Sequence, residues 1–486
     1  MTRASLWCRA LTACACACVV TAVHARDDMT PLLEAARNAD HDAAVRLVRE
    51  GADVNALEAD GTSALHWAVH AGDADLVLAL LAAGADATAA NRYGMTPLQI
   101  AAVNGDAGLL EALIGAGADP HVVLPEGETV LMTAARTGVP EALTVLLKHG
   151  VDTEARDDWH GETALIWAAV ENHADAIRVL AAHGADLNGR SKLMEYPRRR
   201  AGQSILPLGH WTPLMYAARE NALAAGEALI AAGADLDATD PDGATALVIA
   251  IINAHYEFVE YLLHAGADPN VVDTEAGMGP LYAAVDMHRL AVGHGRGNPT
   301  PVGLLDSIDV ARLLLEHGAD PDARLKKPIL QRQHTAGDAT LGEGATPLLR
   351  AAKSGDIEMV RLLLAAGADP QQKLADGTTA LMLAAGLGWR NGSPLAPSYD
   401  QGSEAADIET LELLLDLGLE IPSSNAGGTT ARDGAIGRGS ETIIRFLLER
   451  GADPLAANAR EATPLALAET RSTEAIAALL REAAAD

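Results

Sequence analysis

The chain has 486 residues, a formal net charge of −30 and only 3% aromatic residues, two of them Phe. A compact globular core of this length needs more large side chains. So strong an acidic balance argues against nucleic acid or anionic lipid as a partner.

Residues 1–25 read as a signal peptide. Arg3 and Arg9 make a basic start, Ala10 to Ala22 is an apolar run, and Val23-His-Ala25 is a small-x-small cleavage site. All four cysteines (Cys8, Cys14, Cys16, Cys18) lie inside this segment, so a mature chain starting at Arg26 would carry no thiol, disulfide or Cys-bound zinc. That suits an oxidising compartment such as the bacterial periplasm. Six Lys against 30 Arg favour a GC-rich, bacterial genome. An alternative is a lipid anchor at Cys14, since Leu11-Thr-Ala-Cys14 looks like a lipobox. Against it, only four residues separate Arg9 from Cys14. No later stretch approaches the 18 uncharged apolar residues of a membrane span. Loss of Arg3 and Arg9 would leave a mature charge of about −32.

From residue 26 onward one phrase recurs: Thr-Pro-Leu, a pair of Ala, a second apolar run, then Gly-Ala-Asp. Its Leu stands at Leu32, Leu65, Leu98, Leu131, Leu165, Leu214, Leu247, Leu281, Leu348, Leu381 and Leu465, and Arg432 takes that place in one degenerate copy. Most anchors lie 33 or 34 residues apart, and the Gly of Gly-Ala-Asp follows its anchor by 19 residues in nearly every copy. Thr before Pro is a helix start, because the hydroxyl caps free N–H groups and Pro has no N–H to lose. Gly72, Gly105, Gly138 and Gly355 stand where a first helix ends in a left-handed turn. A second amphipathic run such as Ile357 to Leu364 follows at helical spacing. Short turns such as Asp60-Gly61, Asp242-Gly243 and Asp376-Gly377 lead into the next copy.

The phrase resembles the ankyrin repeat, whose signature reads T-P-L-H-x-A. Only Leu65-His66 keeps the signature His. The resemblance covers essentially everything after residue 25 and implies an all-α repeat fold. That fold is an ankyrin solenoid of about twelve helix-turn-helix units over 26–486, with short β-turn fingers. A solenoid needs few large side chains, because each unit buries its Ala- and Leu-rich faces only against its neighbours.

Four insertions interrupt this rule, near 189–210, 286–306, 322–344 and 386–407. The first and third enlarge the finger between units, and the second and fourth enlarge the loop between the two helices of one unit. In an ankyrin stack these would raise walls on both rims of the concave face. The four segments hold 12 Lys and Arg against 9 Asp and Glu, while the rest of the chain is strongly acidic. Arg190, Lys192, Arg198, Arg199 and Arg200 form one basic cluster, and Arg324, Lys326, Lys327 and Arg332 another. Tyr196, His288, His294, His334, Trp389 and Tyr399 lie among or opposite them. Two readings compete: a pocket for an anionic or mixed-charge partner, and basic loops folded back onto an acidic solenoid. Finger-tip aromatics Tyr93, Trp159 and Trp211 have two readings, exposed hot-spot residues or side chains packed against the neighbouring finger.

Around Arg432, Gly434 and Gly437 occupy a helix that has also lost its apolar anchor, so a weak joint is expected there. Catalytic motifs are absent: there is no His-Glu-x-x-His, Gly-x-Ser-x-Gly, Walker loop or dinucleotide fingerprint. His66 and His70 stand four apart on a helix, but His66 belongs to the repeat signature. Asp286, His288, His294 and His334 could gather around a metal, without diagnostic spacing. The expectation is therefore an exported scaffold, not an enzyme, with no cofactor and no nucleic acid. It would bind another protein through its concave face and inserted loops. A small-ligand or metal site in the insertions, or a secreted effector acting on host proteins, are the alternatives.

Overall fold

The computed structural model describes residues 29–194, 209–274, 276–288, 300–328, 341–388, 403–471 and 473–485. Among the described residues there are 24 helices, all α and arranged in pairs, and no strand beyond isolated bridges. The chain divides into two units, up to Asp186 and from Leu187.

The first unit holds five pairs: α1 (Pro31–Arg37) and α2 (His41–Arg49), α3 (Ala64–His70) and α4 (Ala74–Ala82), α5 (Pro97–Asn104) and α6 (Ala107–Gly115), α7 (Val130–Thr137) and α8 (Pro140–Lys148), and α9 (Ala164–Val170) and α10 (Ala174–Ala182). The second holds seven: α11 (Pro213–Glu220) and α12 (Leu223–Ala232), α13 (Ala246–Ile252) and α14 (Tyr256–His264), α15 (Pro280–His288) and α16 (Ser307–Glu316), α17 (Pro347–Lys353) and α18 (Ile357–Ala365), α19 (Ala380–Ala384) and α20 (Glu404–Asp416), α21 (Ala431–Arg438) and α22 (Glu441–Glu449), and α23 (Pro464–Thr470) and α24 (Glu474–Ala483). These are the expected ankyrin pairs.

The starting phrase works as its chemistry suggests. The Thr side chain accepts a hydrogen bond from the third residue of the helix at Thr30, Thr96, Thr346 and Thr463, each followed by Pro. At α5 the cap is reciprocal, with Gln99 Oε1 accepting from Thr96 N at 3.1 Å. Within each unit, successive first helices pack on one another and on their own second helices. The anchor leucines from Leu32 to Leu381 are buried, whereas Leu465 is only half-buried. Fingers close as single β-bridges, Leu57 with Ser63 and Val123 with Thr129 in the first unit and Lys373 with Thr379 and Ser424 with Thr430 in the second.

Around Arg432 the helix pair is kept. Helix α21 runs unbroken through Gly434 and Gly437. The Arg432 side chain is buried, and its guanidinium donates to the carbonyls of Asp453 and Ala456, so hydrogen bonds replace the missing apolar anchor. Gly434 is there for space: a Cβ would stand 2.8 Å from the backbone N of Leu387 in the preceding repeat.

Two insertion boundaries move. Helix α15 continues through Asp286 and His288, and α20 already begins at Glu404, so these residues are helical and not loop. The reason is that their side chains are tied to the next repeat, as described below.

Candidate functional site

All four insertions belong to the second unit. The two finger insertions precede the N-termini of α11 and α17, and the two others follow the C-termini of α15 and α19. What the described residues show is how each insertion is held at its base.

The first rises from a closed hairpin stem. Ser191 N donates to Trp211 O at 3.0 Å, His210 N to Lys192 O at 3.1 Å, and Leu193 bridges Gly209. Arg190 staples this stem to the next finger, donating to His210 O at 3.1 Å and Thr239 O at 2.6 Å. The third has the same construction: Leu325 N donates to Ala345 O at 2.9 Å and Gly344 N to Leu325 O at 2.8 Å, while Lys326 N reaches back to Ala276 O.

The second and fourth are held by charge. Asp286 accepts from Arg350 Nε at 2.6 Å, and His288 Nδ1 lies 2.5 Å from Asp356 Oδ2, so both ends of this contact join α15 to the following repeat. Arg350 is among the largest fully buried side chains. The insertion returns at Leu304 and Leu305, whose N–H groups face Glu257 Oε1, the former at 2.7 Å. A Cβ at Gly303 would fall on that carboxylate, so a larger residue there would push the Glu257 side chain aside. Beside it Tyr256 is buried, which pushes its hydroxyl up to about 12, and it bonds Ser307 at the start of α16. In the fourth insertion, Asp407 accepts from Arg438 of the next repeat at 2.6 Å. Burial raises the Asp407 carboxyl above its ordinary value even with Arg438 beside it. Glu404 accepts from Ser440 and Thr442, which lowers its own.

The residues singled out from sequence fare unequally. Tyr93 and Trp159 are exposed at finger tips, at 54% and 56%. Trp211 is not: it is only 5% exposed, packed edge-on against Tyr216, with its indole N–H on Asp240 at 3.2 Å. That corrects the partner-binding reading of Trp211 in favour of packing against the next finger, and the cause is the stem, which turns the indole inward. Lys192, Arg324, Lys326 and Lys327 are exposed. Asp286 contacts Arg350 and His288 Nδ1 contacts Asp356, and among the described residues no group of three or more candidate ligands gathers. His66 ties its turn, with Nδ1 on Ser63 and Nε2 3.2 Å from Met95 O. Tyr196, Arg198, Arg199, Arg200, His294, Arg332, His334, Trp389 and Tyr399 lie outside the described residues, as does the segment read as a signal peptide. No helix among the described residues is long and apolar enough to cross a membrane.

Sequence reading missed two features. Val302 and Leu304, at the base of the second insertion, are exposed, Leu304 fully at 99%. In the first unit, Trp67 and Trp167 lie half-exposed on first helices beneath Arg37 and Arg136, whose guanidinium carbons are 5.7 and 5.0 Å from the ring centroids. Their signal was a shared place, two residues after the anchor Leu.

A family model described as ankyrin repeats (3 copies) matches residues 32–121, 98–191, 199–273 and 309–391, more than half of the chain. The human 2-5A-dependent ribonuclease is 31% identical over 113 residues, 23% of this chain and 11% of that protein, so the match spans about a tenth of that relative. The human ASB11 ankyrin repeat domain is similar at 25% identity and a TM-score of 0.41, over 50% of this chain and all of that one.

Proposed function

The chain belongs to the ankyrin-repeat family, and from that premise we propose that it is an exported, non-catalytic scaffold. It binds another protein through first helices, fingers and the loops inserted in repeats 6 to 10. Ankyrin repeats generally mediate protein–protein interaction, and a pre-formed stack orders little on binding, so less entropy opposes the complex. The observation that carries the role of the insertions is the construction of their bases. Two have zipped stems and two have charge clamps, each joined to neighbouring repeats. Binding residues commonly sit on loops positioned by a rigid scaffold, and these bases position the inserted loops.

The test is affinity capture with the mature protein, from Arg26, beside a version with all four insertions trimmed to ordinary repeat length. Retention of one protein by the full bait and its loss on the trimmed one supports the proposal. Retention by both assigns binding to the plain repeats. Capture of no protein by either overturns it. Export is tested by N-terminal sequencing from the periplasmic fraction: a start at Arg26 supports it, a lipidated Cys14 replaces it with an anchored form, and an intact Met1 in the cytoplasm overturns it. Recovery from the culture medium would favour a secreted effector.

A further inference from the structure

In the first unit, α1, α3, α5, α7 and α9 present the positions two and five residues after each anchor Leu. Arg37, five after Leu32, covers Trp67, two after Leu65, and Arg136, five after Leu131, covers Trp167, two after Leu165. The same arrangement thus occurs twice, across the first and second repeats and across the fourth and fifth. Each indole is fixed from below: Trp67 Nε1 donates to Glu58 at 3.0 Å and Trp167 Nε1 to Asp157 at 3.3 Å. Each guanidinium also faces a finger carboxylate, Arg37 with Glu58 at 3.9 Å and Arg136 with Glu128 at 3.3 Å. In both pairs the cation is the more exposed member, 39% against 17% and 31% against 18%. Between the two, the third repeat offers Ile100, half-exposed, and Val103, exposed.

Glu34 and His70 are exposed at the same positions, Val170 is half-buried and Thr133 buried, so in this row two cations on indoles flank an aliphatic pair in a chain whose net charge is −30. The two guanidinium groups lie three repeats apart. First helices packed side by side are about 8–10 Å apart, so the separation is about 24–30 Å. An extended peptide advances about 3.3 Å per residue and covers that in about seven to nine residues.

We infer that this row holds an extended segment of the protein partner bearing two carboxylates about eight residues apart, with an apolar side chain between them. The inference rests on the scaffold reading and specifies the partner's chemistry at one face of the first unit. A guanidinium has five N–H donors in a fixed fork, and the single carboxylate named for each here leaves edges for a second. Stacking on the indole orients that fork before the ligand arrives, which favours planar carboxylate recognition. The aliphatic pair takes the apolar side chain.

The experiment uses the mature chain and a fluorescein-labelled nonapeptide with Glu at its first and ninth positions and Leu at its fifth, the rest Ser, Gly and Thr, read by fluorescence anisotropy. Saturable binding is expected. It should weaken at least tenfold in Arg37→Gln and in Arg136→Gln, with Lys in place of both Glu, and with the two Glu only four residues apart. Val103→Asp, at an exposed position that cannot unfold the stack, should weaken it similarly, which keeps the test sound where loss of Arg136 loosens its repeat. Trimming the four insertions should leave it unchanged. No binding, equal binding of the Lys peptide, or Arg variants as tight as the parent overturns the inference. Capture of the same partner by the parent and by the Arg37→Gln/Arg136→Gln bait, with no peptide binding to the parent, overturns this inference and leaves the scaffold reading standing. Peptide binding without capture by any bait overturns the scaffold reading, and with it the assignment of the segment to a protein partner, while the row's preference for paired carboxylates stands.

Discussion

The two units use one repeat but join their copies differently. In the first, the links away from the surface are neutral: Asn104 donates to Val69 O at 2.8 Å, Thr137 to Ala102 O at 3.0 Å, and His173 Nε2 lies 2.9 Å from Arg136 O, as His255 does with Ala218 O in the second, while the ion pair of His41 with Asp73 is exposed. In the second, where loops are enlarged, buried charge pairs appear: Asp286 with Arg350 and Asp407 with Arg438. A short loop fixes the spacing of two helices by itself. A long one does not, and a directional, charge-assisted contact then holds the helix end in register. Such pairs need not add net stability, because each ion loses its hydration. They make wrong arrangements costly.

The largest effect that would sharpen this contrast is the loss of one charge. Arg438→Ala should destabilise the second unit by about 3–5 kcal/mol, because Asp407 is left charged and buried. Urea unfolding of the full chain should show a lowered midpoint for one transition and an unchanged one for the other. Replacing both partners, Asp407→Leu with Arg438→Met, should restore most of that loss, and if it does not, the pair is doing more than neutralising itself. The raised Asp407 carboxyl points the same way, since the folded unit resists the ionised form as pH rises.

A smaller effect is expected at Gly434. Alanine there meets the Leu387 backbone at 2.8 Å and should cost about 1–3 kcal/mol in the second unit. Hydrogen exchange decides whether α21 remains the weak joint that its glycines suggested: protection equal to α19 and α23 would show that the Arg432 hydrogen bonds and the close fit of Gly434 suffice.

In the first unit the contrast lies between adjacent copies. His66 reaches Met95 O across the repeat boundary, while Gln99, in the equivalent place, leaves its buried Nε2 without a partner. Gln99→His should raise the midpoint of the first unit's transition, by about 1 kcal/mol.

The smallest effect is on pH dependence, and it spans both units. Burial holds His66 and His255 below the ordinary imidazole value of 6.5, each bonded to a carbonyl of a neighbouring repeat. The unfolded chain therefore binds protons first on acidification. Their contribution is complete above pH 6.5 and declines as pH falls below it. Thermal melts between pH 7.5 and 5 should show this fall, and His66→Gln should flatten it for the first unit only.

Sequence alone determined the repeat, the helix pairs and their caps. All of these follow from local rules: a Thr caps the helix it precedes, Gly ends the one before it, and a regular period stacks like on like. Tyr93 and Trp159 were legible too, since finger tips have little to pack against. Tertiary structure decided the rest. Whether Trp211 faces solvent depends on the stem formed by residues 18 or more positions earlier, and its indole N–H finds Asp240 in the next finger. Asp286 and His288 looked like loop ligands because Arg350 and Asp356 are more than sixty residues away in the chain. The paired Arg and Trp of the first unit are likewise one repeat apart in sequence and in contact only after stacking. A repeat fixes where each side chain stands within its own copy; which side chain it meets depends on the copy beside it.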